Sequence, residues 1–190
     1  MAIQRIILDS LIFFTDGVIT VRPFQDADAP EVHVAVSESQ DEAARWLVDL
    51  KGLSLADVQD YIASQPQTWN EDKAFNFVVL DSNTVRVIGG CGLTQINRRH
   101  RFCNLYFWTR TGATGHGYAT RAVVLMARFA FESLGMQRME IVIEPENLAS
   151  LRVAEKAGAI SEGYLRSRLH HHGESRDAVI FSLVPEDLPA

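Results

Sequence analysis

Residues 110 to 120 read RTGATGHGYAT, with an aromatic run before them and a long apolar stretch at helical spacing after them. A helix opening directly behind glycines constrains a chain strongly. The turn can take backbone angles that side chains resist, and the first N–H groups of the helix have no partner inside it. Gly115 and Gly117 let the backbone approach an anion unobstructed, and the positive end of the helix dipole faces the charge. The pattern reads either as a cradle for a pyrophosphate-bearing ligand or as an ordinary strand-to-helix turn, and the glycines alone do not separate the two.

The segments around that turn follow a definite order. Residues 3 to 8 and 11 to 21 are rich in Ile, Leu, Phe and Val, with Asp16 and Gly17 among them, and read as extended structure, the first eight residues being an extra strand or an arm. Asp26 or Asp28 caps a helix to about Ser37, with Pro30 in its first turn. A second helical stretch covers 41 to 50. Ser54 caps a third, where Leu55, Val58, Tyr61 and Ile62 recur at helical spacing until Pro66 stops it. Residues 74 to 80, 86 to 94 and 101 to 110 form an antiparallel meander. A helix over 115 to 134 closed by Gly135, a strand over 138 to 143 and a helix over 147 to 157 closed by Gly158 come next. Strands over 160 to 170 and 175 to 184 end the chain as a hairpin, with Arg176 and Asp177 a local ion pair. A strand, helix, strand unit buries both helix and sheet faces, so the order implies an α/β fold with a parallel crossover at the sheet's centre.

With 190 residues, 47% of them hydrophobic, the chain suits one domain spanning 1 to 190 that needs no staples. A net charge of −6 argues against a general nucleic-acid partner and suits a cationic substrate. Cys91 and Cys103 are the two cysteines, both in strand-like apolar sequence that favours packing over chemistry. No signal-peptide pattern, membrane-length apolar run or metal-ligand spacing is present, so the expectation is a cytoplasmic protein with free thiols, no membrane contact and no metal. His170, His171 and His172 adjoin the hairpin turn, where alternate strand residues face opposite sides; they read as structural or substrate-rim residues.

Downstream of the glycine turn the chain reads ENLASLRVAEKAGA from Glu146 and EGYLR at 162 to 166. With the WTR of 108 to 110 and the GHGYAT of 115 to 120 upstream, these motifs resemble the GCN5-related N-acetyltransferases (GNAT), in particular the branch of the RimJ and RimL ribosomal-protein acetyltransferases. The resemblance is strongest from about Gly89 to Leu183. It implies a mixed, mostly antiparallel sheet of about seven strands, flanked by helices, with two splayed central strands and an acyl thioester between them. It also implies acetyl-CoA as co-substrate, an amine acceptor (a protein N-terminal α-amine or a small amine) and, in many members, a homodimer.

Acyl transfer needs a positioned thioester, a neutral amine and a proton for the departing thiolate. By resemblance, the main chain of Phe107, Trp108, Thr109 and Arg110 pairs with the pantetheine arm. The amides around Gly115, His116, Gly117, Tyr118 and Ala119 grip the pyrophosphate, and Thr120 adds a hydroxyl. Asn147 bonds the cofactor's amide arm, Ser150 binds at the same cleft and protonates or steadies the thiolate, and Arg152 with Lys156 meets the nucleotide phosphate. Each has a plainer alternative: Arg110, Arg152 and Lys156 as solvated charges, Asn147 as a helix cap and Ser150 bonded to a backbone carbonyl.

Two departures stand out. The family's Gln or Arg three residues before the first motif glycine is Gly112 here, with Arg110 two residues earlier as the side chain that would supply the charge, and the Glu some relatives carry on the central strand is Asn104, which is no useful base. His100, Glu38 and Asp41 are candidates by placement only, and no residue is assigned. A non-catalytic acyl-CoA sensor is the alternative class. A nucleotide-binding oxidoreductase is disfavoured, because the glycines do not sit in a first βα unit followed by an acidic ribose partner. Acceptor contacts are expected from residues 33 to 70 and 165 to 175.

Overall fold

The computed structural model describes residues 4–8, 11–43, 46, 52–171 and 173–188. Among them, nine strands form one sheet: β1 (Gln4–Leu8), β2 (Leu11–Thr15), β3 (Ile19–Pro23), β4 (Phe75–Asp81), β5 (Val87–Asn97), β6 (Phe102–Thr109), β7 (Arg138–Ile143), β8 (Ile160–His171) and β9 (Glu174–Leu183). The sheet order is β1-β2-β3-β4-β5-β6-β7-β9-β8. Only the β6–β7 pair is parallel. The mixed sheet with its central parallel crossover is as the element order implies. The stretch over 11 to 21 is two strands, because Asp16 accepts the N–H groups of Val18 and Ile19 and folds the chain at Gly17, where φ is +85°.

Among the described residues, four α-helices cover the sheet: α1 (Ala29–Ala43) and α2 (Leu55–Asn70) on one face, α3 (Tyr118–Arg128) and α4 (Leu148–Lys156) on the other. Two cores follow from this layering. Val32, Ala35 and Val36 of α1 meet Val58 and Ile62 of α2 over Val78, Leu80 and Val87. Val123, Leu125 and Met126 of α3 and Ala154 of α4 pack on Phe77, Leu105, Met139, Ile141 and Ile143 from the opposite side. Cys91 and Cys103 are buried there, and burial pushes the Cys103 thiol up to about 12.

Tertiary contacts move several helix ends away from their sequence signals. α1 runs past Ser37, because Ser39 is buried with its hydroxyl on Ala35 O at 2.7 Å and so fixes the added turn. α2 begins at the Ser54 cap, whose Oγ accepts Asp57 N–H while Asp57 accepts Ser54 N–H, but it passes through Pro66. Proline removes one helix hydrogen bond. Trp69, packed on Phe75 and Phe77 with centroids 5.1 and 5.0 Å away, pins the turn beyond it. The helix expected from 115 begins at Tyr118 and widens into a π turn over Phe129–Ser133 before Gly135. Arg176 pairs with Glu174, two residues back on the same face, and Asp177 accepts from Tyr164 and Ser167, because adjacent strand residues point to opposite sides. Most of the stretch expected to be helical over 41 to 50, and His172, lie outside the described residues. Among the described residues, no helix is long and apolar enough to cross a membrane.

Candidate active site

β6 and β7 pair over three rungs, Phe102 with Arg138, Cys103 with Met139 and Asn104 with Glu140. Both strands then continue, β6 to Thr109 and β7 to Ile143, with no further pairing between them. The centre of the sheet therefore opens into a slot. The far edge of β6 stays on β5 to its end, with Arg110 N–H donating to Ile88 O at 2.8 Å. Hydrogen-bonding direction alternates along an antiparallel ladder. With Arg110 and Trp108 turned to β5, the main-chain groups of Leu105, Phe107 and Thr109 face the slot. Gly90 of β5 leaves room for the Trp108 indole: a Cβ there would lie 2.6 Å from Trp108 Nε1, so the indole is packing.

The chain leaves β6 by a 3-10 turn over Thr111–Ala113 and reaches two glycines in the left-handed region, Gly115 (φ +80°) and Gly117 (φ +78°), the latter capping α3. Among the described residues, the N–H groups of residues 115 to 120 find no acceptor in the chain. That is an anion site by geometry, six donors ending at a helix N-terminus. The side chains around it are tied down. His116 Nδ1–H meets Thr114 O at 2.8 Å while its ring stacks on Tyr118 at 5.5 Å. Tyr118 O–H donates to Asp81 at 3.1 Å, and Arg121 meets Asp16 at 2.6 Å. The Thr84 N–H, foremost, holds Asp81 below the usual carboxylate range. Burial pushes Asp16 up, but the Ile19 N–H and Arg121 outweigh it and leave it low.

Arg110 is placed differently from the sequence expectation. It is 5% exposed, with Nε and NH2 on Glu38 at 2.5 and 2.8 Å and NH1 on Val87 O at 3.2 Å. Thr111 N–H also donates to Ser39 of α1 at 3.1 Å. The guanidinium expected at the cofactor is committed to α1, because a buried cation requires a carboxylate partner. Its partnership also removes Glu38 from the candidate bases.

At the start of α4, Asn147 Oδ1 accepts Ser150 N–H at 3.1 Å, so Asn147 is the helix cap. Ser150 is half-buried, and its hydroxyl bonds no described residue; Arg152 and Lys156 are exposed. The two slot strands thus end in α3 and α4, whose first turns bring the 115–120 amides and the Asn147–Ser150 pair to the same end of the sheet.

Asn104 stands on the last closed rung of the slot, its Oδ1 buried without a hydrogen-bond partner among the described residues. His100 sits exposed in the turn before β6. An acid and imidazole pair missed by the sequence pattern is Glu144 with His171: Glu144, just past β7, accepts from His171 Nε2 at 2.6 Å, with side chains 9% and 13% exposed. The alternation of Met139, Ile141 and Ile143 stops at the end of β7, one residue short of Glu144, so it gave no signal for the pair. A buried polar chain on the face under α1 and α2 had no signal either. Tyr106 O–H donates to Asn76 at 2.9 Å and Asn76 to Gln65 at 2.7 Å, and burial pushes the Tyr106 phenol well up. Open surface hollows along β8–β9 and beside Arg98 do not touch the free amides.

Comparison with known proteins agrees with this geometry. The family model described as "Acetyltransferase (GNAT) domain" matches residues 19–160. The chain is 28% identical over 179 residues to "Probable N-acetyltransferase YjcK" of Bacillus subtilis (strain 168), covering 89% of this chain and 95% of that one. Its fold matches the Microcin C7 self immunity acetyltransferase MccE in complex with acetyl-CoA and AMP at a TM-score of 0.82 and 19% identity, over 90% of this chain and 93% of that one. Mycobacterium smegmatis RimJ in complex with CoA-disulfide matches at a TM-score of 0.81 and 21% identity, over 92% and 85%. A parted central strand pair, a glycine turn of unpaired amides beside it and a family match across most of the chain agree: this protein belongs to the GNAT acetyltransferase family and is an N-acetyltransferase.

Proposed function

We propose that the protein holds acetyl-CoA with its pyrophosphate on the amides of residues 115 to 120 and its acyl arm along the slot-facing main chain of Phe107 and Thr109. The acetyl group passes to a primary amine, a protein N-terminal α-amine or a small amine, by direct attack in a ternary complex. The observation that carries this reading is the row of unpaired amides opening onto the parted strands. Exposed donors of this kind bind a diphosphate without needing a charged side chain.

In the transfer, the amine nitrogen forms a bond to the thioester carbonyl carbon as the carbon–sulfur bond breaks. Ser150, whose hydroxyl bonds no described residue, donates its proton to the departing sulfur and recovers one from the solvent that takes up the amine's proton. Arg110 supports the site at one remove, by fixing the end of β6 against α1.

The test is to incubate the protein with acetyl-CoA and alanine- or serine-initiated peptides or spermidine, and to look for a mass gain of one acetyl group. Ser150→Ala should lower turnover roughly 100-fold with acetyl-CoA affinity changed less than about twofold. Turnover unchanged by Ser150→Ala removes the serine's role, and absence of acetyl-CoA binding by calorimetry removes the reading.

A further inference from the structure

We infer that Glu144, held by His171, is the carboxylate on which the acceptor amine docks as an ammonium ion, before it gives up one proton to solvent and attacks as the neutral amine, which narrows the acceptor class to cationic primary amines; this rests on the acetyl-transfer reading above. The direction of the side chain is the first support. Met139, Ile141 and Ile143 pack into the core beneath α3 and α4. Glu144, just past β7, bonds His171, which pairs with Glu174 of β9; alternation from Phe181 and Leu183 in that same core puts Glu174 on the opposite face, on the side of α1 and α2. The amides that would take the cofactor begin α3, so the face bearing Glu144 is the one left for a second reactant. A nucleophile and a leaving group on one carbonyl carbon need separate approaches.

The second support is electrostatic. Three comparably buried carboxylates around the sheet meet an arginine: Asp16 meets Arg121, Asp28 meets Arg22 and Glu140 meets Arg138. Glu144 is as buried as any of them, yet no arginine or lysine among the described residues bonds it. Its one described side-chain partner is the imidazole of His171, on one oxygen. A carboxylate held at low dielectric with an oxygen left over is stabilised by an arriving cation. The charged groups around the pair do not supply one. Glu146 follows on the same loop and is exposed, and Glu174, opposite His171 on β9, is already bonded to Arg176.

The third support is position. Asn147 N–H donates to Glu144 O at 2.9 Å, and Asn147 Oδ1 holds Ser150 N–H at 3.1 Å. One hydrogen-bonded turn therefore links the docking carboxylate to the serine assigned to the leaving thiolate. His171 is a positioning residue: it comes from the β8–β9 hairpin, a segment expected to contact the acceptor, and orients the carboxylate.

The experiment compares wild type, Glu144→Gln and His171→Gln using an alanine-initiated peptide and spermidine, which are cations near neutral pH, and acetic hydrazide, whose amine is neutral there. Glu144→Gln should lower kcat/KM for the cationic probes at least about tenfold, chiefly through KM, and move the hydrazide less than about twofold. His171→Gln should show the same split more weakly, and it carries the test if Glu144→Gln fails to fold. Equal losses for cationic and neutral amines overturn the inference, as does wild-type protein that binds acetyl-CoA but acetylates neither cationic probe. Wild-type protein that binds no acetyl-CoA removes the acetyl-transfer reading itself.

Discussion

Arg110 and Glu38 meet across 72 residues of chain, the guanidinium Nε and NH2 lying 2.5 and 2.8 Å from the two carboxylate oxygens. The contact fastens the end of a slot strand to the helix on the opposite face of the sheet. One residue later, Ser39 of that helix receives the Thr111 N–H. α1 thus sets where the glycine turn begins, although it supplies no group to the turn itself.

If Arg110 acts through this anchorage, Arg110→Met and Glu38→Gln should weaken acetyl-CoA binding by a similar, modest factor of roughly threefold, and the double variant should be no worse than the weaker single. Calorimetry at two salt concentrations checks this. A much larger, salt-steepened loss for Arg110→Met alone would show a direct phosphate contact instead.

The glycines of the turn should not be equivalent. Gly117 has a φ of +78° and open space where a Cβ would stand, so Gly117→Ala is strained by the backbone alone, at about 1 kcal/mol. The strain also re-aims the amides of the α3 cap, so acetyl-CoA affinity should fall roughly tenfold. Gly112 has no positive φ and no atom within 4 Å of an added Cβ. Gly112→Gln should leave stability within about 0.5 kcal/mol. Thermal unfolding and calorimetry on both variants decide it, and equal effects at the two positions would contradict the account.

The pH dependence of stability should show the Arg138–Glu162 pair. Hydrogen bonds from Arg138, foremost, and from Ser182 hold Glu162 down to about 2. This value lies below that of an unfolded glutamate, near 4.3. The contribution is therefore complete above the unfolded value and is lost as pH falls toward the folded one. The difference in urea midpoint between wild type and Glu162→Gln should be flat from about pH 8 to pH 5.5 and shrink below about pH 4. A difference that does not change with pH would rule out this ion pair as its source.

The meander, the parallel crossover and the glycine turn were legible because each has a local signature: alternation, helical spacing, and glycines at a helix start. Helix ends set by distant contacts were not. Nothing near Pro66 announces that Trp69 will seat among Phe75 and Phe77, and nothing near Ser37 reveals that Ser39 will meet Thr111. Arg110 reads as a phosphate ligand in sequence, since its neighbours form a phosphate motif; its burial against Glu38 is a tertiary fact. Glu144 was not legible: β7 ends one residue before it, and only the hairpin fold brings His171 to it.

The account depends on unpaired amides at residues 115 to 120 holding a diphosphate, and amide shifts of 15N-labelled protein test this most directly. Acetyl-CoA should move the Gly115, His116, Gly117, Tyr118, Ala119 and Thr120 signals strongly, and S-acetyl-pantetheine, which lacks the pyrophosphate, should leave them nearly in place. Signals that stay put with acetyl-CoA, or that move equally with both compounds, would contradict it.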